Sequence, residues 1–376
     1  MRLADAPTPA LVLDRIKFER NCVLMRERCR TLGVRLRPHM KTLKSLDAAR
    51  VAVDPEFGAI AVSTLREAEY FASGGISDIQ LALCLTPDKL ARAAAVAGRI
   101  DRFSFFLDSL DMARSTAEYA LAHALPLRVW IEIDSGEHRT GVEPDDQRLL
   151  DIAAILADSP VVLEGVATHG GHSYRKRDPD SLASVAEQER IAVVRAADRL
   201  RSAGFEVPGV SAGSTPTATH SRSATGLTEL RAGVYMAGDL FQAAIGSLGQ
   251  DEIALSVLAT VISHKPPQNQ IVVDTGGLAL SKDRSTSAID GGDLGYGLVV
   301  DLDGQPTLGR LIVTGVSQEH GQIDGPDPVP FDRLPIGTKV RVFPNHVCMT
   351  AGSYDELLVV ETDQEIVARW NKAFGW

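Results

Sequence analysis

Short apolar segments rich in β-branched residues alternate with amphipathic segments over the first two thirds of the chain. Asp14 to Leu32 begins with a capping aspartate and stops before Gly33, which predicts a helix, and Pro179 to Gly204 also has helical periodicity. Strands are predicted at Val34 to Arg37, Ala59 to Ser63, Asp78 to Cys84, Phe103 to Leu107, Leu127 to Asp134, Val161 to Thr168, Gly209 to Gly213 and Glu229 to Tyr235. This alternation predicts an α/β fold, a parallel (β/α)8 barrel of the TIM type. An open doubly wound sheet has a similar strand number, but the GxGxxG turn that would favour it is missing.

The pattern changes after Gly249, where predicted strands follow one another with hardly any helix between them. They are Ile253 to Ser263, Gln270 to Val273, Gly297 to Leu302, Arg310 to Val316, Thr338 to Pro344 and Glu356 to Glu361. Gly, Pro and Asp turns separate them, which predicts a second, all-β domain. The extended segment Thr8 to Leu13 is a candidate to pair into that domain. We therefore place the barrel at residues 13–245 and the β domain at residues 1–12 plus 246–376.

Composition and charge narrow the function classes. The 376 residues are 44% hydrophobic and 23% charged, as is typical of a folded protein with a substantial core. A formal net charge of -10 without a long Lys or Arg run argues against nucleic-acid and anionic-membrane partners, so small molecules or proteins remain. Four cysteines in no CxxC pair, no signal peptide and no apolar stretch of about 20 residues predict a cytoplasmic protein.

Lys41 is the strongest candidate for chemistry in the barrel. It lies in RPHMKTLKS directly after the first barrel strand, which must end at Pro38 because proline cannot donate to a central ladder. Barrel enzymes keep their active sites at this C-terminal mouth. A partly desolvated lysine beside Arg37, His39 and Lys44 could form a Schiff base, whereas a solvated loop lysine is the simpler alternative.

Two further loops suggest a phosphate site. SAGSTPT (Ser211 to Thr217) ends the seventh predicted strand, and LRAGVY (Leu230 to Tyr235) ends the eighth. Small residues and hydroxyls there leave backbone N–H groups free to bind phosphate, although each motif alone also fits a tight turn. Their joint position across the barrel mouth from Lys41 predicts a lysine-tethered phosphate cofactor, for which pyridoxal 5'-phosphate (PLP) is the obvious candidate.

Polar side chains also follow the fifth and sixth predicted strands. Arg139 lies in IEIDSGEHRTGV, and His169, His172 and Tyr174 lie in VATHGGHSY. They could contact a cofactor ring or a substrate, and we include His169 among the cofactor-binding candidates. For His172 and Tyr174, an ordinary loop role is about as well supported by the sequence.

In the predicted β domain, PNHVCMTAG carries His346 and Cys348. If residues 345–349 are extended, the imidazole and the thiolate project to one side and could share one ion. With water completing the shell, they would form an open, catalytic zinc site. A half-buried cysteine beside a hydrogen-bonded histidine is the alternative.

Seven motifs in order, RPHMKT, IEIDSGEHRTGV, THGGHSY, SAGSTPT, ELRAGVY, SQEHG and PNHVC, resemble the D-serine dehydratase and D-threonine aldolase family. The resemblance covers almost the whole chain and implies the alanine-racemase-like fold, a PLP-binding barrel with a β domain. It also implies roles for individual residues. These are Lys41 as the Schiff-base lysine and the base for the Cα proton, Arg139 near the phenolic oxygen of the cofactor, Tyr174 at its pyridine nitrogen, Ser214, Thr215, Gly233 and Val234 around its phosphate, and His346 and Cys348 as metal ligands.

The resemblance further implies a lyase that acts on a D-3-hydroxy amino acid and works as a homodimer. Dehydratases of the family carry His-x-Cys with zinc, whereas typical bacterial D-threonine aldolases carry Asp at the second position with manganese or another divalent ion. Cys348 therefore favours release of a 2-oxo acid and ammonia over retro-aldol cleavage to glycine and an aldehyde. RLRPHMKT and IEIDSGEHRTGV are especially similar to bacterial D-threo-3-hydroxyaspartate dehydratases, which favours that diacid. D-serine, threonine and β-hydroxy-aryl amino acids stay open as substrates. A racemase with Tyr296 as second base and a non-catalytic PLP carrier are weaker alternatives.

Overall fold

The computed structural model describes residues 1–362 and 364–376, and it divides the chain into two compact units. The β unit comprises Met1–Val23, Thr42–Val51 and Val234–Phe374. The barrel unit comprises Leu24–Lys41, Ala52–Gly233 and Gly375–Trp376. None of the helices in the described part of the chain combines the length and apolar character needed to cross a bilayer.

Strands alternate with helices in the first two thirds of the chain and predominate in the last third. The strands are β1 (Ala10–Asp14), β2 (Arg35–Pro38), β3 (Ala59–Val62), β4 (Asp78–Cys84), β5 (Arg102–Leu107), β6 (Arg128–Ile133), β7 (Val162–Thr168), β8 (Gly209–Ala212), β9 (Glu229–Ala232), β10 (Leu255–Lys265), β11 (Gln270–Val273), β12 (Gly297–Val300), β13 (Ile312–Val316), β14 (Gly321–Asp324), β15 (Lys339–Pro344), β16 (Glu356–Val360) and β17 (Ile366–Asn371). The helices are α1 (Arg15–Thr31), α2 (Leu46–Ala52), α3 (Leu65–Ser73), α4 (Leu90–Ala97), α5 (Leu110–His123), α6 (Arg148–Ala157), α7 (Pro179–Ser202), α8 (Thr215–His220), α9 (Leu240–Ala244), α10 (Gly277–Leu280) and α11 (Val347–Ala351).

The barrel unit is built on a parallel sheet with the strand order β2-β9-β8-β7-β6-β5-β4-β3. Its two edge strands meet where His39 forms a bridge with Ala61 and Met40 N donates to Ala61 O at 2.8 Å. The sheet is therefore a nearly closed eight-stranded barrel, which confirms the predicted fold. Because all its strands are parallel, the loops that follow β2, β6, β7, β8 and β9 meet at one mouth.

The opposite end of the barrel holds a buried ion-pair network. Arg37 Nε donates to the Glu229 carboxylate at 2.9 Å, and Arg37 Nη1 donates to Asp78 Oδ1 at 2.7 Å. Glu229 and Asp78 are the first residues of β9 and β4. Arg37, expected among the cations beside Lys41, is held by these carboxylates instead, because its place in β2 directs the side chain into the barrel.

The β unit contains one mostly antiparallel sheet with the order β11-β14-β13-β12-β15-β10-β1-β16-β17. Strand β1 is antiparallel to β10 and parallel to β16, so the opening segment does pair into this sheet. Val12 of β1 packs with Leu3, Leu258 and Leu358 in a buried apolar cluster. That burial anchors the start of the chain in the sheet.

Three details differ from the prediction. The strand expected to reach Tyr235 ends at Ala232 and is followed by a 3-10 turn at Val234–Met236. The sequence pattern does not predict strands β14 and β17. Residues 345–349 are not extended: after β15 ends, His346 has extended backbone angles and α11 begins at Val347.

Candidate active site

Lys41 lies at the mouth of the barrel, as predicted. Strand β2 ends at Pro38, and Lys41 follows two residues after the bridge at His39. Its side chain is exposed, and its backbone N–H donates to His39 Nδ1 at 3.4 Å. A solvent-accessible amine at a barrel mouth can reach a cofactor or a substrate.

The surroundings of Lys41 are positively charged. Burial and the charges of Lys41 and Arg231 hold the pKa of His39 well below its ordinary value. Burial and the charges of Lys41, Arg139 and Arg231 lower the pKa of His169 to about 3, although its hydrogen bond to a backbone carbonyl acts in the opposite direction. Both imidazoles are therefore neutral at pH 7. The cations around them are Lys41, Arg139, which pairs with Glu137 at 3.5 Å, and Arg231, on which buried glutamates act.

Arg231 is a further residue of the site that the sequence analysis did not predict, although it lies in the LRAGVY motif. Its Nη1 donates to Ser211 Oγ at 2.7 Å, and its Nη2 donates to Thr168 O at 2.6 Å. The guanidinium also lies over the Phe106 ring at 5.1 Å from the ring centroid. These contacts fix a buried cation inside the barrel, below the loops that follow β7 and β8.

The two small-residue loops approach other backbone segments closely. A Cβ on Gly213 would lie 2.6 Å from Arg231 O, and one on Gly233 would lie 2.6 Å from His39 O. Gly213 also has φ +125°, which side chains rarely adopt. The backbone therefore comes near the mouth at both loops, as a bound phosphate requires.

The predicted residues on neighbouring loops are also brought together. His169 Nδ1 forms a hydrogen bond with Gly213 O at 3.0 Å. Ser173, which precedes Tyr174 in a 3-10 turn, has its hydroxyl 3.3 Å from that of Ser214. Ser214 caps α8 by accepting from Thr217 N at 3.2 Å, and Thr215 is the buried first residue of that helix.

Glu189 of α7 links these loops and was not predicted. Its Oε1 accepts from Gly170 N at 2.6 Å and from Gly213 N at 2.9 Å. The carboxylate is buried. Burial raises the pKa of Glu189, and the hydrogen bonds from Gly213 and Gly170, which lower this pKa, do not cancel the effect. Glu189 thus holds the loop after β7 and the loop after β8 in one arrangement.

The barrel unit fits a PLP-like group. It offers an accessible lysine, a cationic mouth for an anion and two places where only glycine allows close backbone approach. His172 Nδ1 is buried and has no hydrogen-bond partner among the described residues, so a polar atom is left for a ligand or water. Val234, the remaining phosphate candidate, belongs to the β unit.

In the β unit, His346 and Cys348 flank the start of α11. His346 Nδ1 lies 3.0 Å from Asp283 Oδ2, and Cys348 Sγ lies 3.0 Å from Thr42 Oγ1. Asp239 Oδ2 accepts from Val347 N at 3.0 Å and so fixes the residue between them. Of these partners, sequence reasoning found none.

Neighbouring groups shift the protonation of this pair. Burial disfavours the charged imidazole, but hydrogen bonds with Asp283 and Cys348 outweigh it and raise the pKa of His346 to about 11. Burial raises the pKa of Asp283, yet the same imidazole and Ser285 lower it overall to about 2. Within residues 1–362 and 364–376, no three His, Cys, Asp or Glu side chains are grouped as ligands of one ion would be.

A nitrogen and a sulfur donor in hydrogen-bond contact are nevertheless a donor pair that suits zinc. Asp283 at Nδ1 leaves the other ring nitrogen for an ion, which is the arrangement common around metal-bound histidines. The residues therefore fit a zinc ion with ligands that water or substrate would complete.

Comparison with known proteins identifies the family of the chain. The family description "Alanine racemase, N-terminal domain" matches residues 13–240, and "Putative serine dehydratase domain" matches residues 254–360. The D-threo-3-hydroxyaspartate dehydratase of Delftia sp. strain HT23 is 41% identical over 379 residues, covering 100% of this chain and 99% of that protein. The chain belongs to the D-serine dehydratase and D-threonine aldolase family.

Other members of the family are similar over nearly the whole chain. The solved structure of the Delftia dehydratase has a TM-score of 0.95 and covers 100% of both chains at 39% identity. A cysteine-to-alanine variant of it has been solved in a metal-free form. The D-serine dehydratase of Dictyostelium discoideum is 31% identical, covering 97% of this chain and 96% of that protein. The D-threonine aldolase of Filomicrobium marinum has a TM-score of 0.85 at 27% identity, covering 99% of this chain and 97% of that one.

Membership of this family confirms the predicted enzyme class. The chain is a PLP-dependent lyase with an alanine-racemase-like fold. The individual roles of Lys41, Arg139, His169 and Tyr174 stay predictions, as do those of the phosphate-loop residues and the metal pair.

Proposed function

We propose that this enzyme is a D-threo-3-hydroxyaspartate dehydratase that uses PLP and zinc. In the proposed reaction, the substrate loses its Cα proton and its Cβ hydroxyl, which departs as water. Hydrolysis then releases ammonia and gives oxaloacetate. The observation that carries the proposal is Cys348 at the second position of the metal pair, since the family resemblance connects His-x-Cys with dehydratases.

The charge of the barrel mouth supports a dicarboxylate substrate. Lys41, Arg139 and Arg231 are the cations that act on His169, and the two imidazoles beside them are neutral. Glu137, 3.5 Å from Arg139, and the buried Glu189 balance part of the arginine charge. A substrate with two carboxylates, together with a phosphate cofactor, would compensate this positive charge better than serine would. D-serine is the second expected substrate.

The proposed roles of the barrel residues follow from their positions. PLP, when bound, supplies the electron sink that makes the Cα proton removable. Lys41 would hold the cofactor and take this proton with its amine. Ser214, Thr215, Gly233 and Val234 would bind the phosphate, whereas Arg139, His169 and Tyr174 would contact the ring. Glu189 would keep the loops at the phosphate end in place.

His346 and Cys348 would hold the zinc ion. A zinc ion, when bound, stabilises a departing hydroxide as a Lewis acid. Asp283 would orient His346, and the Thr42 hydroxyl would bond the sulfur of Cys348. The metal-free variant of the Delftia dehydratase supports a metal in this family, and manganese or another divalent ion is the alternative to zinc.

We further propose a cytoplasmic homodimer acting on small D-amino acids, with no nucleic-acid or membrane partner. The net charge of -10 supports the absence of polyanionic partners, and the family resemblance supports the dimer. The proposed PLP-binding domain is residues 13–245, with residues 1–12 plus 246–376 as the metal-bearing domain. The family matches over residues 13–240 and 254–360 support this division.

Product analysis tests the reaction. The purified enzyme with PLP and zinc is incubated with D-threo-3-hydroxyaspartate, D-serine and D-threonine, and 2-oxo acid, ammonia, glycine and aldehyde are each measured. We expect oxaloacetate and ammonia in equal amounts, fastest from the hydroxyaspartate. Glycine and an aldehyde forming faster than any 2-oxo acid would replace this proposal with D-threonine aldolase activity, which the likeness to the Filomicrobium enzyme favours.

A further inference from the structure

The C-terminal segment of the β unit contains a buried lysine that the proposed reaction does not use. Lys372 directly follows β17, and only 7% of its surface is exposed. A lysine is rarely buried to this extent unless its ammonium group has partners. Lys372 Nζ donates to Ala351 O and, at 3.0 Å, to Tyr354 O.

These two carbonyls belong to the end of α11 and the turn after it. A helix leaves its last four carbonyls without partners inside the helix, and α11 has only five residues. The amine of Lys372 satisfies one carbonyl of the helix and one of the following turn. At the other end of α11, Asp239 accepts from Val347 N, so the short helix that carries Cys348 is held at both ends.

The backbone of Lys372 makes a second connection. Ser45 and Lys372 form an antiparallel bridge, and Ala373 N donates to Lys44 O at 2.7 Å. Three residues before Ser45, the hydroxyl of Thr42 contacts Cys348 Sγ at 3.0 Å. Lys372 therefore joins α11, the helix that carries Cys348, to the segment from Thr42 to Ser45, whose Thr42 hydroxyl contacts the Cys348 sulfur.

The charge of the lysine is compatible with this role. Burial and the nearby charge of Lys44 lower the pKa of Lys372 to about 8, with Asp355 acting in the opposite direction. At pH 7 the amine is still mainly protonated, and in either form it has N–H groups to donate.

We propose that Lys372 is a positioning residue for the metal pair, holding α11 so that Cys348 stays beside His346 and the Thr42 hydroxyl. This inference rests on the proposed zinc-dependent function. It assigns a role at the zinc site to a residue that contacts neither His346 nor Cys348. Replacing a group that bonds a metal ligand directly typically weakens metal binding about 10- to 100-fold. Lys372 bonds the carbonyls of Ala351 and Tyr354 and acts on Cys348 through α11, so we expect an effect at the lower end of that range.

Zinc affinity tests this role. Lys372→Met keeps an unbranched side chain, one atom shorter than lysine, and removes its donors, whereas Lys372→Arg retains donors and charge. Zinc binding is measured by competition with a chromophoric chelator, and PLP content is measured by absorbance on the same samples. We expect at least a 10-fold weaker zinc affinity in Lys372→Met, partial recovery in Lys372→Arg and unchanged PLP content in both. Lys265→Met, at an exposed lysine of β10, is the matched control and should bind zinc like the wild type.

A second measurement separates this proposal from the zinc assignment. In metal-free protein, the alkylation rate of Cys348 is followed by peptide mapping, and we expect it to rise at least threefold in Lys372→Met because α11 is less restrained. A wild-type enzyme that binds no zinc would overturn the metal assignment, and the alkylation rate would still decide the role of Lys372. If Lys372→Met has the same zinc affinity and the same Cys348 alkylation rate as the wild type, the positioning role is overturned. If Lys372→Met fails to fold, Lys372→Gln is measured in the same way. Its neutral amide ends one atom short of the position of the lysine amine, and unchanged values there would equally overturn the positioning role.

Discussion

Cys348 is the single residue on which the choice of reaction depends most. Its sulfur contacts Thr42 and its neighbour His346 is oriented by Asp283, so the pair is held by residues far away in the sequence. A thiolate and an imidazole select zinc over harder ions such as magnesium. Lys41, in contrast, belongs to the barrel unit and has its own neighbours, so removing the metal ligand leaves the predicted base in place.

We therefore expect Cys348→Ala to separate two steps of the reaction. Zinc content should fall, and 2-oxo acid release should fall at least 100-fold, because the ion stabilises charge only when the hydroxyl departs. Exchange of the Cα proton should fall less than 10-fold, since Lys41 is unchanged. Exchange is measured as deuterium incorporation into unreacted D-threo-3-hydroxyaspartate in heavy water, beside oxaloacetate release.

Met349→Ala is the control for this experiment. Met349 is the exposed neighbour of Cys348 on α11 and has 57% of its surface exposed, so its truncation should change neither rate more than about twofold. If exchange and elimination decrease together in Cys348→Ala, the metal serves both steps and its separate role in elimination is refuted.

At the scale of elements, α7 does more than cover the barrel. Its buried face is mainly apolar, with Leu182, Val185 and Val193, but the same face carries Glu189. The carboxylate of Glu189 accepts hydrogen bonds from Gly170 and Gly213 in two different loops. The helix thus sets the distance between these loops, and through them the predicted phosphate site.

Glu189→Gln should weaken PLP binding about 10-fold, which corresponds to about 1.4 kcal/mol. The amide keeps the size of the side chain but loses the charge that strengthens both hydrogen bonds, so the loops should close less firmly around the phosphate. The dissociation constant is obtained by titrating cofactor-free protein with PLP and following absorbance. At saturating PLP, turnover should remain within about twofold of the wild type.

Glu187→Gln, on the same helix, is the matched control. Glu187 is exposed and pairs with Arg190 one turn further along α7. The Glu187→Gln protein should therefore bind PLP with the affinity of the wild type. Equal PLP affinity in Glu189→Gln and Glu187→Gln would show that the loops keep their arrangement without the charged carboxylate.

The sequence allowed the barrel to be predicted well because its strands are buried, apolar and separated by regular helices. Strand β17 was missed because it is an edge strand whose outward face also carries an apolar residue. Val367 is exposed between the partly buried Ile366 and Ala368, so apolar and polar residues do not alternate there. The helical start at Val347 depends on Asp239, which lies 108 positions earlier. No local pattern reveals a partner at that separation.

The same reason limited the prediction of the site. Lys41 and the glycine loops are recognisable because chain order fixes which loop follows which strand. Thr42 and Cys348 are 306 positions apart, and their contact exists only in the folded chain. Glu189 did carry a local signal, since it interrupts the apolar face of α7, and a charged residue at such a position is evidence of a buried partner.

For the molecule as a whole, the neutral imidazoles at the barrel mouth link stability to pH. Burial and the charge of Lys41 are the main causes that hold the pKa of His39 low and lower that of His169 to about 3. In the unfolded chain both side chains return to an ordinary value near 6.5. Below that value the unfolded state binds more protons than the folded state, so stability decreases as pH falls from about 6.5 toward about 3.

His169→Asn should reduce this acid sensitivity. The asparagine amide can still donate to Gly213 O but binds no proton, so the share of His169 in the pH dependence is removed. Between pH 7 and pH 5 the wild type should lose about 2 kcal/mol more unfolding free energy than His169→Asn. The measurement is urea unfolding of cofactor-free protein at both pH values, so that release of PLP does not contribute to the measured free energy.

His320→Asn, at an exposed histidine, is the control and should lose stability between pH 7 and pH 5 as the wild type does. Equal losses in the wild type and His169→Asn would mean that His169 takes up its proton in the folded protein, and that the barrel mouth is less positively charged than its arginines and lysine indicate.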